Sequence, residues 1–158
     1  MSSLPTSLSQ QSRTNSLERI EAPAAALTLT RTALQAITTA GTLITWQSAT
    51  RNNGFTWATT DITIPTTGYY VIQVRLATAA SITMATQVTV NGITIGYFGN
   101  TYVATTYHTG TIMRYHATGD ILQIRVVPSA NTNINQAAEN TLTESPLLHV
   151  AQITSAVV

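Results

Sequence analysis

The sequence predicts an all-β protein, an antiparallel β-sandwich carrying an extended N-terminal arm, and three observations predict it. Apolar residues alternate at period two in Tyr70, Ile72, Val74, Leu76 and again in Leu122, Ile124, Val126, as they do in strands with one buried face. Each run follows a glycine turn, Pro65-Thr66-Thr67-Gly68 before the first and Ala117-Thr118-Gly119-Asp120 before the second. Gly, Pro and Asn punctuate the chain about every ten residues, and no segment shows a sustained helical period.

Taken in order, residues 1–30 read as the arm and 31–158 as the sandwich domain. The arm is rich in Ser, Thr, Gln and Ala, carries Arg13, Glu18, Arg19 and Glu21 within nine residues, and has Leu4, Leu8, Leu17 and Ile20 as scattered apolar anchors. Either it is a disordered terminus or it folds onto a partner. Expected strands are Ala33 to Ile37, Leu43 to Ser48, Thr56 to Ala58, Asp61 to Ile64, Tyr69 to Ala77, Met84 to Val90, Ile93 to Phe98, Gly110 to His116, Ile121 to Val127 and Leu147 to Ile153. Asn91-Gly92 between Val90 and Ile93 is the strongest hairpin signal, because a two-residue type I′ turn needs φ > 0 at both positions. Asn53-Gly54 marks a second turn. Residues 129–145 form a long polar connection of the kind that is functional, interfacial or mobile.

Composition narrows the function. Of 158 residues only 8% are charged, against roughly a quarter in an average domain, and the net charge is +1. All seven basic residues are scattered arginines, so no basic patch exists to hold nucleic acid. Thr dominates positions where charge usually stands, and 44% of residues are apolar. A neutral exterior of this kind suits a protein that spends its life assembled, since free monomers keep charge for solubility. Without Cys there is neither disulfide nor thiolate metal site. No apolar run is long enough to span a membrane, and Met1-Ser2-Ser3-Leu4-Pro5 lacks signal-peptide character, so synthesis in a host cytoplasm is expected.

The order of these pieces resembles the jelly roll shared by the globular heads of the complement and tumour necrosis factor superfamily, particularly the plain versions in bacteriophage structural proteins. The residues that carry the resemblance are Pro65, Gly68-x-Tyr70-x-Ile72, Val90-Asn91-Gly92, Gly119-Asp120 and the terminal strand Leu147 to Ile153. It covers residues 33–153. Ile72 stands where complement heads usually carry Phe, and Ser145-Pro146-Leu147-Leu148 where they carry Phe-Gly. The resemblance implies a homotrimer with aromatic and aliphatic residues at its axis, and three arms on one side of a trimeric knob.

Catalytic chemistry finds little support in the residue inventory. Asp61 and Asp120 are explained by turns, and no Gly-x-Ser-x-Gly elbow or phosphate loop occurs. His108, His116 and His149 lack metal-site spacing; His116, near Gly119-Asp120, is either a metal or pH-sensitive position or a hydrogen-bonded strand residue. Tyr70, Tyr97 and Tyr115 are candidate trimer-interface residues, and Tyr102 and Tyr107 a candidate ligand-binding loop. The expected function is a non-enzymatic virion protein, without cofactor, nucleic acid or membrane partner. It would be a homotrimer on the capsid exterior whose arm residues Leu4, Leu8, Arg13, Leu17, Arg19 and Ile20 bind the major capsid protein. The alternative is a receptor-binding tip of a phage tail or fibre that recognises host glycan.

Overall fold

The longest element grows from the Gly68-Tyr69-Tyr70 opening. In the computed structural model, which describes residues 24–100, 104–134 and 146–153, this strand runs for 15 residues and organises one of two sheets. The described strands are β1 (Ala26–Thr30), β2 (Gln35–Ile37), β3 (Thr42–Leu43), β4 (Ser48–Asn53), β5 (Thr56–Ala58), β6 (Asp61–Thr63) and β7 (Gly68–Ile82). They continue with β8 (Met84–Val90), β9 (Ile93–Asn100), β10 (Thr105–His116), β11 (Ile121–Pro128), β12 (Thr132–Ile134) and β13 (Leu147–Ile153). The first sheet has the order β2-β12-β7-β13-β1-β4, with β10 on the other edge of β7; the second is β5-β6-β11-β8-β9, with β3 beside β11. Every pairing is antiparallel. The all-β sandwich is as the alternation requires.

Period two sends Tyr70, Ile72, Val74 and Leu76 of β7 into the core, where they meet Leu122, Ile124 and Val126 of β11. Each fully buried aliphatic side chain there contributes about 1.5–3 kcal/mol relative to exposure. The hairpin at Asn91-Gly92 forms as read: Val90 pairs with Ile93, and φ is 51° at Asn91 and 80° at Gly92. Along β9 and β10 the sandwich closes by contact across the sheets, since a Cβ at Gly110 would come within 2.4 Å of the Phe98 Cβ. Only glycine permits that approach.

Four sequence expectations need correction. Ala26–Thr30, assigned to the arm, is a strand inside the first sheet, hydrogen-bonded to β13 on one side and β4 on the other. Its Leu27 and Leu29 are fully buried. The expected strand Leu43 to Ser48 is instead a crossover between sheets: the Ile44 N–H donates to Ile124 O at 2.8 Å, and the Gln47 N–H to Thr30 O at 3.2 Å. Strand β2 starts two residues late because the Ala33 carbonyl accepts from the Arg31 guanidinium at 2.8 Å. Finally, the polar connection after Ser129 contains β12, which pairs with β2 and β7.

Arg31 is the polar anchor of this corner. Although only 1% exposed, it donates to Gln35 Oε1 and Thr45 Oγ1, each at 2.7 Å, and to the Thr45 carbonyl. Burial pulls its pKa down to about 10, so it remains a cation at neutral pH, held by neutral oxygens alone.

Candidate functional face

The candidate site is the outer face of the first sheet, and the same alternation that builds the core builds it. On β7 the residues between the core positions, Tyr69, Val71, Gln73 and Arg75, point outward. On β10 their Cα partners are Tyr115, Met113, Thr111 and Thr109; on β13 they are Ile153, Ala151, His149 and Leu147. Strand β1 adds Ala26, Thr28 and Thr30 opposite Ala151, His149 and Leu147. The face is thus a grid of rows running across five strands.

Two rows at one end are apolar. Ile153, Tyr69 and Tyr115 make one, and Ala151, Val71 and Met113 the next. Met113 is 61% exposed, Tyr115 59%, Tyr69 56% and Ile153 42%, half of the eight large exposed apolar residues among those described. The Tyr69 and Tyr115 rings pack edge to face with centroids 5.3 Å apart, which fixes both as a small platform. An exposed cluster of this kind marks a contact surface, whereas single exposed apolar residues are ordinary.

The remaining rows are polar and cationic. Arg51 on β4, Thr28, His149, Gln73 and Thr111 lie in one row. Thr28 Oγ1 and His149 Nδ1 share a hydrogen bond of 2.9 Å. Burial and then the nearby Arg51 charge hold the His149 pKa below its ordinary 6.5. In the next row a cleft of about 270 Å³ opens over Arg75, lined also by Gln73, Thr109, Thr111 and Leu147. No Asp or Glu stands on any of the seven strands of this sheet.

The opposite outer face, on the second sheet, carries a hydrogen-bonded polar ladder, with Tyr97 exposed beside Gln87 at its β9 edge. Gln123 Nε2 donates to Asp61 Oδ1 at 2.7 Å while its Oε1 accepts from Thr89 Oγ1 at 3.2 Å. Arg125 donates to Gln87 Oε1 at 3.2 Å and to the Ala40 carbonyl at 2.8 Å. The hydrogen bonds from Gln123 and then Thr60 depress the Asp61 pKa.

The predicted site residues fall in different places. Tyr115 lies on the exposed outer face of the first sheet. Tyr70 is corrected: it is fully buried, its hydroxyl donating to the Thr66 carbonyl at 2.7 Å, because it has the inward parity of β7 while its neighbour Tyr69 has the outward one. Tyr97 is exposed on β9 of the second sheet, away from the platform. Tyr107 is exposed on β10 and belongs to a strand rather than a loop; Tyr102 lies outside the described residues. So do the arm residues Leu4, Leu8, Arg13, Leu17, Arg19 and Ile20. Sequence reasoning missed Tyr69, Met113 and Ile153, whose signal was their parity opposite the core positions.

His116 is 2% exposed, with Nδ1 3.7 Å from Asp120 Oδ2 and its ring edge-on to Tyr70. Burial lowers its pKa, and the Asp120 carboxylate works against that shift. Asp120 itself closes the Ala117 turn, accepting from the Ala117 N–H at 2.9 Å and from Asn91 Nδ2 at 3.0 Å. Among the described residues no three His, Cys, Asp or Glu side chains gather as a metal site would require, and no helix is long and apolar enough to cross a membrane.

No protein-family model matches the sequence, and no curated protein matches it. Solved structures do share its fold. Murine APRIL at pH 8.0 superposes with a TM-score of 0.61 at 16% identity, over 82% of this chain and 99% of that chain. The pH 5.0 structure of murine APRIL gives the same score at 14% identity and the same coverage. Eiger TNF from S. frugiperda gives 0.56 at 14% identity, over 86% of this chain and 96% of that chain. At such identities the likeness is one of fold, a tumour-necrosis-factor-like jelly roll, and it does not extend to the bacteriophage form of the resemblance.

Proposed function

We propose that this protein is a non-enzymatic virion structural protein, a homotrimer that decorates the capsid exterior and stabilises the head through its N-terminal arms and trimer base. The observation that carries the reading is the exposed apolar platform of Tyr69, Met113, Tyr115 and Ile153 on a chain with very few charges. A trimer of the kind the jelly-roll resemblance implies needs one face to bury, and this platform supplies it. Three arms on one knob would each bind a major capsid subunit weakly, and the second and third contacts would form at high effective concentration.

The test is oligomeric mass by light scattering, followed by co-sedimentation with empty phage shells. The full chain is expected to be a trimer that pellets with shells, and a chain lacking residues 1–23 a trimer that does not. Truncation stops at residue 23 because β1 begins at Ala26. Unchanged shell occupancy of the truncated protein would sink the decorating role; a trimer that ignores shells would favour the receptor-binding tip.

A further inference from the structure

We infer that His116 and Asp120 form a proton-operated latch: protonation of His116 opens the end of the sandwich that carries the apolar platform, and so separates the protomers. The inference rests on the reading above that this platform is the contact between protomers. Three turns meet at this end. The Gly119 N–H donates to the Ile64 carbonyl and the Ile64 N–H to the Asp120 carbonyl, each at 2.9 Å, while the Thr118 N–H donates to Thr67 Oγ1 at 3.1 Å. From the β8–β9 hairpin the Asn91 N–H donates to the Ile121 carbonyl, and the Asn91 side-chain oxygen accepts from the Ile121 N–H, both at 2.9 Å. The Asp120 carboxylate ties these together, one oxygen taking the Ala117 N–H at 2.9 Å and the other the Asn91 amide at 3.0 Å. Against it His116 is buried, its Nδ1 3.7 Å from Asp120 Oδ2 and its Nε2 without a hydrogen-bond partner among the described residues.

A second proton on this ring has no place in the closed arrangement. An imidazolium donates from both nitrogens, yet Nε2 faces no acceptor and Nδ1 stands too far from the carboxylate for a hydrogen bond. To shorten 3.7 Å to the about 2.8 Å of a charge-assisted bond, Asp120 Oδ2 must leave the Ala117 N–H, which unties the turn. If the ring swings into water instead, the turn above it is displaced as well. The other groups around the ring give the charge no relief. Arg114, on the same strand, is a cation, and from β7 the Tyr70 ring lies 6.0 Å away with its hydroxyl committed to the Thr66 carbonyl. The 65–67 turn, the Asn91-Gly92 hairpin and Gln152 bring no titratable side chain. Burial is the leading cause of the lowered His116 pKa, and it outweighs the pull of Asp120, so acid favours a state in which the ring reaches water. The platform is tied to this latch at three points. Tyr115 is the residue before His116, and Tyr69 follows Gly68, the Cα partner of His116. Ile153 follows Gln152, whose side-chain oxygen accepts from Thr66 Oγ1 at 3.0 Å. Loosening the 117–120 turn therefore frees the end on which the Tyr69–Tyr115 pair is set.

The test takes the full chain, without capsid shells, from pH 7.5 to 5. Amide hydrogen exchange reads the latch without reference to assembly. Protection factors at Ala117, Gly119 and Ile121 are expected to fall by up to about tenfold per pH unit below 6.5, while Ile72 and Val74 in β7 keep theirs. That fall should share its midpoint with titration of the His116 ring, followed by NMR in the parent chain, so the test does not depend on a variant that folds. Light scattering over a dilution series reads assembly: the concentration at half-assembly should rise about threefold, the shift produced when half of the protomers are open. In His116→Gln both acid responses should vanish. Protection that holds steady with pH, or that falls without His116 titrating, would overturn the latch, as would an acid response retained in His116→Gln. Protection that falls while the mass holds would take the platform out of the contact, and a monomer at pH 7.5 would remove the trimer. Either overturns the coupling, and the exchange data distinguish both from a failed latch.

Discussion

The two outer faces of the sandwich are made from the same kinds of strand and differ in how their side chains are satisfied. On the second sheet Asp61, Gln123 and Thr89 form one hydrogen-bonded chain, and Arg125, Gln87 and Thr94 another, so polar groups that are largely covered find partners within the face. On the first sheet one end is instead an exposed apolar platform of Tyr69, Met113, Tyr115 and Ile153. A face complete in itself suits water, while an incomplete one calls for a partner. In the proposed trimer the contrast would set the second sheet outward and the first toward other chains.

The largest expected effect comes from breaking the incomplete face. Met113→Glu with Tyr115→Glu would place six carboxylates in the threefold contact of the proposed trimer. Association should fall more than a hundredfold, since like charges juxtaposed in an interface cost several kcal/mol. Light scattering is expected to show a monomer whose unfolding midpoint is little changed, because both side chains are exposed in the single chain. A trimer that survives both substitutions would remove the platform from the interface.

Neighbours in sequence sharpen the contrast. Tyr70→Ala should destabilise the protein by about 3–5 kcal/mol, as large-to-small changes of buried aromatics do, whereas Tyr69→Ala should weaken assembly and leave chain stability within about 0.5 kcal/mol. Chemical denaturation of the two variants, compared with their masses, separates these outcomes. The pair also marks how far the sequence was legible. Alternation after Gly68 and Gly119 and the Asn91-Gly92 hairpin fixed fold class and most strands, because period two and φ > 0 are local properties. Face assignment asks in addition which parity is buried. Tyr70 was read as an interface residue although it shares the parity of Ile72 and Val74, and Tyr69 was passed over. Strand β1 was missed for another reason: Ala26–Thr30 shows the alternation, but its ladder partners lie about twenty and one hundred and twenty residues away in sequence. No local pattern reports that closure.

Acid should act through the three histidines, two of them in the interior and His149 half-buried on the first sheet's outer face. For His108, His116 and His149, burial is the leading cause of a lowered pKa, so the folded chain binds fewer protons than the unfolded one. Stability is then full above about pH 6.5 and declines as pH falls through that value toward the folded-state pKa values. The midpoint of thermal unfolding is expected to drop between pH 7.5 and 5, and His116→Gln to flatten the drop. A midpoint that rises over that range would show that ion pairing outweighs burial at these imidazoles.

The smallest effect lies on the completed face. Gln123→Leu removes the donor that is the leading cause of the depressed Asp61 pKa and leaves the nearly buried Thr89 hydroxyl only the longer bond, 3.5 Å, to the residue 123 carbonyl. The Asp61 carboxyl should titrate closer to an ordinary aspartate, and stability should fall by up to roughly 1 kcal/mol for the lost side-chain hydrogen bonds. Oligomeric mass should not change at all. That invariance is the sharper half of the test, because a polar ladder that only satisfies itself can be damaged without consequence for assembly. A change in mass on Gln123→Leu would place the second sheet in the contact and reverse the proposed orientation.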